Sequence, residues 1–325
     1  MHVLISDLED LMLDDYAPYL ASLKAELPDA TIDILPYGSQ AFYESLALAD
    51  GLLSAFIPIT KELLTQAPRL KVISIMATGY STCDVRAIEH RGILLSHVRE
   101  YCTREVSEHA IALMIALVHQ LKIYDHVVGH CIWEYQGVQP SYSLDEMTIA
   151  VFGIGRIGKM TGKLAQGLGM HVLGIDPYCS QEEMAALGIE KCDKQEALCQ
   201  CDVVICHMAL NNQNYHYFDQ EAFKQMKKRP YFINVSRGGC VDEKALIKAL
   251  DDHQIAGAGL DVLEQENPDL RGHSLLLRNN VILTPHCGFY SIHSLERLAM
   301  ISSQNLSYGL KGDYQNIDEI VKEER

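Results

Sequence analysis

The sequence predicts an α/β protein of two doubly wound parallel-sheet domains, one inserted into the other. Three observations carry this expectation. Short apolar runs alternate with helical patterns along the 325 residues. The rhythm breaks once, at a long apolar helix expected over 106–123, and then begins again. A last helical pattern, 294–310, follows the final strand. Alternating buried strands and helices mean βαβ units, and this length suits about two domains of ~100–200 residues each.

Taken in order, Val3-Leu4-Ile5, Ile32-Asp33-Ile34-Leu35, Gly51-Leu52-Leu53-Ser54-Ala55, Val72-Ile73-Ser74-Ile75 and Ile93-Leu94-Leu95 read as buried strands, with helices between them that include 61–66 and 84–91. A polar stretch over 133–146 leads to the strand Thr148-Ile149-Ala150-Val151-Phe152. Further strands follow at 170–175, 203–206, 231–235, 257–262 and 281–283, with helices at 157–168, 219–226 and 243–250. The first domain is thus expected over 1–98, completed by 290–325, and the inserted domain over 99–289.

Composition narrows the function. Hydrophobic residues make up 48% and charged residues 22%, the mix of an ordinary globular chain. A net charge of -16 argues against gripping phosphate backbones, which needs a basic face, so no nucleic-acid partner is expected. The opening Met1-His2-Val3-Leu4-Ile5-Ser6-Asp7 reads as a strand and not as a leader. Scattered along such a chain, the 10 cysteines are expected to be free thiols in a reducing, cytoplasmic setting. The longest apolar stretch, 110–118, is too short to span a bilayer.

Gly153-Ile154-Gly155-Arg156-Ile157-Gly158 follows one expected strand and opens a helix. In such a turn Gly153 permits the tight bend, Gly155 lets the backbone approach a pyrophosphate, and Gly158 lets helix pack on strand. The helix start at Arg156 and Ile157 turns its positive end to the phosphates. Alone the fingerprint is weak, but Asp176 stands at the end of the next strand, 18 residues beyond Gly158. A carboxylate there accepts the ribose hydroxyls and repels a 2′-phosphate, so NAD is expected over NADP.

Three charged residues end strands of the inserted domain: Arg237, Glu266 and His286. Ligands of open α/β sheets bind at the carboxyl ends of strands. An arginine fork matches a carboxylate with two hydrogen bonds. A histidine exchanges a proton near neutral pH, and a neighbouring carboxylate fixes its tautomer and favours the imidazolium. Singly, Arg237 reads as a surface ion-pair partner, His286 as a capping or core histidine and Glu266 as a solvated loop charge. Their arrival at one edge of one sheet makes that joint reading poor. Elsewhere His126 and His130 lack the glutamate of a zinc-protease motif, and Cys192, Cys199, Cys201 and Cys206 form no CxxC pair, so no metal is expected.

Over nearly its whole length the chain resembles the D-isomer-specific 2-hydroxyacid dehydrogenase family. The resemblance rests on Gly153–Gly158 with Asp176-Pro177-Tyr178, on Asn234-Val235-Ser236-Arg237-Gly238-Gly239-Cys240-Val241-Asp242, on Gly259-Leu260-Asp261-Val262-Leu263-Glu264-Gln265-Glu266-Asn267-Pro268 and on Thr284-Pro285-His286. Tyr101-Cys102-Thr103-Arg104-Glu105-Val106-Ser107-Glu108-His109-Ala110 resembles the segment opening the inserted domain. It implies a Rossmann NAD-binding domain inserted into a flavodoxin-like substrate-binding domain, and hydride transfer between NAD(H) and a small 2-hydroxy or 2-oxo acid with D-stereospecificity. Arg237 would bind and polarise substrate, and His286 would be acid/base with Glu266 as its partner. Ala77-Thr78-Gly79-Tyr80 would offer N–H groups to the substrate carboxylate. Val106, His207, Val235, Ser236 and Asp261 would lie by the cofactor. The apolar helix would pair with its copy in a homodimer, and Trp133 and Tyr135 would pack at a domain or subunit surface. Departures fall at Ala77, where glycine is common, at Ala209-Leu210-Asn211 in place of Pro-Leu-Thr, and at Phe289-Tyr290 after the histidine. They bear on substrate choice. A second reading is an NAD-sensing corepressor of the C-terminal-binding-protein type with the same fold and little turnover.

Overall fold

The chain alternates strand and helix from its first residues. Residues 1–266 and 268–323 are described by a computed structural model. Asn267 of the glutamate motif, and residues 324–325 of the segment expected to complete the first domain, lie outside the described residues. The chain divides into two units, Met1–Tyr101 with Ser291–Arg325, and Cys102–Tyr290.

The first unit begins with strands β1 (His2–Ile5), β2 (Thr31–Ile34), β3 (Gly51–Ser54), β4 (Val72–Ile75) and β5 (Leu94–His97), and helices α1 (Ala17–Glu26), α2 (Gln40–Leu46), α3 (Lys61–Thr65) and α4 (Val85–His90). The second unit carries β6 (Thr148–Phe152), β7 (His171–Ile175), β8 (Glu190–Lys191), β9 (Val203–Cys206), β10 (Tyr231–Asn234), β11 (Gly257–Leu260) and β12 (Val281–Leu283). Its helices are α5 (Thr103–Val118), α6 (Leu121–Gly129), α7 (Arg156–Gly167), α8 (Gln181–Ala186), α9 (Lys194–Gln200), α10 (Gln220–Gln225) and α11 (Glu243–Asp251). The chain then returns to the first unit with α12 (Ile292–Lys311) and β13 (Glu319–Ile320).

The first sheet runs β13-β5-β4-β3-β1-β2, parallel except for β13, which pairs antiparallel with β5. Without that edge the order is the flavodoxin-like one. The second runs β12-β11-β10-β9-β6-β7-β8, parallel throughout, with the order reversing between β6 and β9 as in a Rossmann sheet. Both faces of such sheets are covered, which is why β3, β4 and β9 are buried at every position.

In the first unit Leu4, Phe42, Leu52 and Ile73 fill one side of the sheet, and Val3, Ile5, Leu53 and Val72 meet Leu23 and Leu306 on the other. Burying each such side chain contributes roughly 1.5–3 kcal/mol. α12 lies so close to β4 that a Cβ on Gly309 would stand 2.9 Å from Val72. Ser74 Oγ donates to the carbonyl of Ser302 at 2.8 Å, fastening the returning helix to the sheet. In the second unit Phe152, Phe218, Phe232 and Phe223 stack edge to face at 5.0–5.4 Å.

The long helix expected over 106–123 is two helices. Gln120 takes a left-handed conformation, φ 55°, and α5 and α6 meet at a bend of 59°. The apolar residues of α5, including Val106, Ala110, Met114 and Leu117, are buried inside the unit against α7, β10 and β11. Leu121, in the second half of the expected helix, stays exposed. Among the described residues no single helix is long and apolar enough to cross a membrane.

Most helix starts are legible as capping residues. Ser39, Thr60, Asp84, Ser180, Asp193, Asp219, Asp242 and Ser291 each accept an N–H of the first turn. Such a cap is worth about 1 kcal/mol. α7 differs, because it starts at Gly155 with no capping side chain.

Candidate active site

The glycine turn between β6 and α7 is built as its sequence requires. Gly153 has φ 92°, and a Cβ there would meet the backbone of His207 at 2.8 Å. A Cβ on Gly158 would fall 1.9 Å from the Gly153 carbonyl, so the helix sits directly on the turn. A Cβ on Gly155 meets nothing within 4 Å, so this position faces open space at an uncapped helix start. The first turn of α7, with Arg156 and Ile157, thus presents its positive end to that space. Asp176, at the end of β7, accepts the N–H of Ile154 at 2.7 Å through Oδ2 and that of Tyr178 at 2.7 Å through Oδ1. These features fit a dinucleotide: a cradle for phosphates, and a carboxylate beside it on the next strand.

His207 follows β9 at the same edge. Its Nε2 lies 2.8 Å from Thr161 Oγ1, and burial pushes its pKa down to about 3, so the ring is neutral at working pH. Val106 is buried at the start of α5, where Ser107 Oγ donates to the Ile157 carbonyl at 3.1 Å, holding that helix against the start of α7.

After β10 comes the turn that carries Arg237. Buried Asn234 organises it: its Oδ1 accepts from Ser236 N at 3.1 Å and from Ser236 Oγ at 2.9 Å, and its Nδ2 donates to the Arg237 carbonyl at 3.0 Å. Val235 is buried beside it. Arg237 gives one guanidinium N–H to the carbonyl of Ser236 at 2.8 Å, and the fork has five. The next residue must be glycine, because a Cβ on Gly238 would lie 1.7 Å from the Leu263 carbonyl. That close approach brings the loop after β11, with Glu266, alongside the arginine turn.

Glu266 Oε2 accepts from His286 Nδ1 at 3.1 Å, which leaves the ring's Nε2 outside this contact. The hydrogen bond from His286 draws the Glu266 carboxyl below its ordinary value, and the positive charge of Arg237 adds to this while burial works against it. The structure therefore brings Arg237, Glu266 and His286 to one edge. His286 has φ 51° and donates its N–H to the Asp261 carbonyl at 2.8 Å. Asp261, expected by the cofactor, is 2% exposed and lies beneath the histidine loop. Its Oδ1 accepts from Thr284 Oγ1 at 2.5 Å and Cys287 N at 2.9 Å, and its Oδ2 from Gly288 N at 2.9 Å. Burial opposes its charge, but these bonds and His109 outweigh burial and hold the carboxyl below its ordinary value.

In the first unit the loop Ala77-Thr78-Gly79-Tyr80 leaves the end of β4. His97 Nδ1 lies 2.9 Å from the Thr78 carbonyl, and the rings of His97 and Tyr80 are 5.1 Å apart, edge to face. Among the described residues the main-chain N–H groups of Thr78 and Gly79 have no hydrogen-bond acceptor.

Sequence reading missed the roles of Asn234, Thr284 and His109. Asn234 had a usable signal, since an asparagine ending a strand just before a turn commonly caps it. His109 had a fainter one, a histidine within the apolar face of a core helix. Ligand-type atoms of His109, Asp261 and Cys287 lie within 4.8 Å of one another, but the Asp261 oxygens are already taken by hydrogen bonds.

Fold and site together define an oxidoreductase that binds NAD on a Rossmann sheet. The model for the NAD binding domain of D-isomer specific 2-hydroxyacid dehydrogenases matches residues 111–288. A glyoxylate reductase of Korarchaeum cryptofilum is 32% identical over 285 residues, covering 86% of this chain and 86% of that one. A hydroxypyruvate reductase of Blautia hydrogenotrophica is 33% identical, covering 83% and 84%. The crystal structure of D-lactate dehydrogenase from Aquifex aeolicus with NAD and lactic acid superposes with a TM-score of 0.88 at 27% identity, covering 99% of this chain and 100% of that one. The chain belongs to the D-isomer specific 2-hydroxyacid dehydrogenase family. It is an NAD-dependent oxidoreductase that passes hydride between the cofactor and a small 2-hydroxy or 2-oxo acid. The corepressor reading gives way, since the relatives are reductases and dehydrogenases.

Proposed function

We propose that this chain reduces a small 2-oxo acid of the glyoxylate and hydroxypyruvate class to the D-2-hydroxy acid. The observation that carries the reading is the Glu266–His286 contact at 3.1 Å, beside an arginine with an open fork. The substrate class is supported by relatives named glyoxylate reductase and hydroxypyruvate reductase at 32% and 33% identity.

In this reading Arg237 pairs with the substrate carboxylate and polarises its carbonyl. His286 Nε2 gives a proton to the carbonyl oxygen, and Glu266 holds the ring by Nδ1. The loop 77–80 offers main-chain N–H groups to the carboxylate. Bound NADH supplies the hydride to the carbonyl carbon. Gly153, Gly155, Arg156, Ile157 and Gly158 would hold its pyrophosphate and Asp176 its ribose, with Val106, His207, Val235, Ser236 and Asp261 around the rest. The same reading makes the chain a cytoplasmic homodimer. Ile132, Trp133 and Tyr135, which are 47%, 89% and 74% exposed in the single chain, would then be covered by a second copy.

The test is kcat/KM for NADH-dependent reduction of glyoxylate, hydroxypyruvate, pyruvate and a branched-chain 2-oxo acid, with chiral analysis of the glycerate and lactate formed. Glyoxylate or hydroxypyruvate should lead, and the chiral products should be D. A preference for the branched acid, or an L product, would overturn the assignment. In a parallel experiment NADH should be preferred to NADPH, and Asp176→Ser should narrow the preference. A carboxylate facing a 2′-phosphate across a few ångströms costs roughly 1–3 kcal/mol in partly screened surroundings, about 5- to 150-fold. Equal use of both cofactors by the unaltered protein would remove Asp176 from the ribose site.

A further inference from the structure

We propose that His109 is a positioning residue for the reaction, acting through Thr284 and Asp261 to hold His286 in its working conformation. The inference rests on the reading of His286 as proton donor.

His109 Nε2 lies 2.9 Å from Thr284 Oγ1 and 3.5 Å from Asp261 Oδ1. The Thr284 hydroxyl has one proton, which it gives to Asp261 Oδ1 at 2.5 Å. It must then accept from His109, so His109 carries its proton on Nε2. Asp261 in turn accepts three successive N–H groups: His286 on its main-chain carbonyl at 2.8 Å, Cys287 on Oδ1 at 2.9 Å and Gly288 on Oδ2 at 2.9 Å. The chain is pressed onto this pair, since a Cβ on Gly288 would lie 3.0 Å from Asp261 Oδ2 and 3.4 Å from His109 Cδ2.

This clamp has something to hold. His286 stands at φ 51°, a left-handed conformation that is uncommon for a residue with a side chain. In that conformation its Nδ1 meets Glu266. Without the His109 hydrogen bond the Thr284 hydroxyl is free to turn away from Asp261, the carboxylate loosens its hold on residues 287 and 288, and His286 relaxes away from Glu266. The titratable and charged groups facing this assembly are Glu266 and Arg237 at His286, and Asp261 and Cys287 at His109. On α5, Glu105 lies one turn before His109.

The experiment compares His109→Ala, His109→Gln and Thr284→Val in steady-state 2-oxo acid reduction across pH, with NADH affinity measured by fluorescence and Tm by calorimetry. A glutamine amide can replace the Nε2–H donor, whereas valine removes the hydroxyl at nearly constant volume. His109→Ala and Thr284→Val should each lower kcat about tenfold or more. Both should move the alkaline limb of reduction to lower pH, with KM and NADH affinity within about threefold of the unaltered protein. His109→Gln should restore most of kcat and the position of the limb. The proposal is overturned if Thr284→Val keeps the original kcat and limb, or if His109→Gln fails as badly as His109→Ala. His286→Ala serves as the control for the underlying reading. Should it keep full activity, His286 is not the proton donor. Should it lose activity while the Thr284 and His109 variants keep theirs, only the positioning role fails.

Discussion

Replacing His286 with alanine should lower the rate of 2-oxo acid reduction by about 10²–10⁴, the range for one positioned general acid. The structure gives the loss a pH signature. With His286 as the proposed acid, reduction would consume a ring proton, so its rate should fall as pH rises. Oxidation would need the neutral ring and should show the opposite limb. The Glu266 carboxyl lies below its ordinary value first because of the hydrogen bond from His286. Glu266→Gln keeps the shape and removes the charge, so the alkaline limb should move to lower pH. The measurement is kcat/KM against pH at saturating NADH in both proteins. An unmoved limb would uncouple Glu266 from the titrating group. The stability contributed by the two carboxylates falls on the other side of the profile. Glu266 and Asp261 both have depressed values in the fold, so the stability they contribute is present above the ordinary carboxylate range and is lost as pH falls.

Arg237→Ala should be comparably damaging. Two charge-assisted hydrogen bonds to a substrate carboxylate are worth roughly 3–6 kcal/mol together, about 10²–10⁴ in kcat/KM. Arg237→Lys should recover little, because an ammonium cannot reproduce the planar fork. The turn itself should survive, since Asn234 and not the guanidinium organises it. NADH affinity should therefore stay within about threefold. A variant that loses NADH binding while keeping kcat would move Arg237 from the substrate to the cofactor.

Much of this is legible in the sequence alone. Strand positions followed from short apolar runs, because parallel strands covered on both faces leave no room for polar alternation. The glycine turn was readable because each glycine answers a local demand: a positive φ at Gly153, open space at Gly155, contact with the Gly153 carbonyl at Gly158. The family resemblance is borne out by the match over residues 111–288 and by relatives above 30% identity. The break between α5 and α6 was hidden, since neither glycine nor proline marks it and it depends on a left-handed Gln120. The short edges β8 and β13, two residues each, are likewise too brief to leave a periodic pattern.

The sequence by itself determined which residue types the chemistry has at its disposal and that each follows a strand of a parallel sheet. Strand ends share an edge by topology, so Arg237, Glu266 and His286 could be grouped from order alone. Only the tertiary structure decided how they are held. The collision that a side chain on Gly238 would have with Leu263, the seating of three N–H groups on Asp261, and the reach of His109 from α5 to Thr284 join residues as many as 175 positions apart. Contacts of that kind depend on distances of a few tenths of an ångström between elements that no local pattern brings together. For that reason the clamp around the histidine became visible only once the sheet and the helix crossing it had both been built.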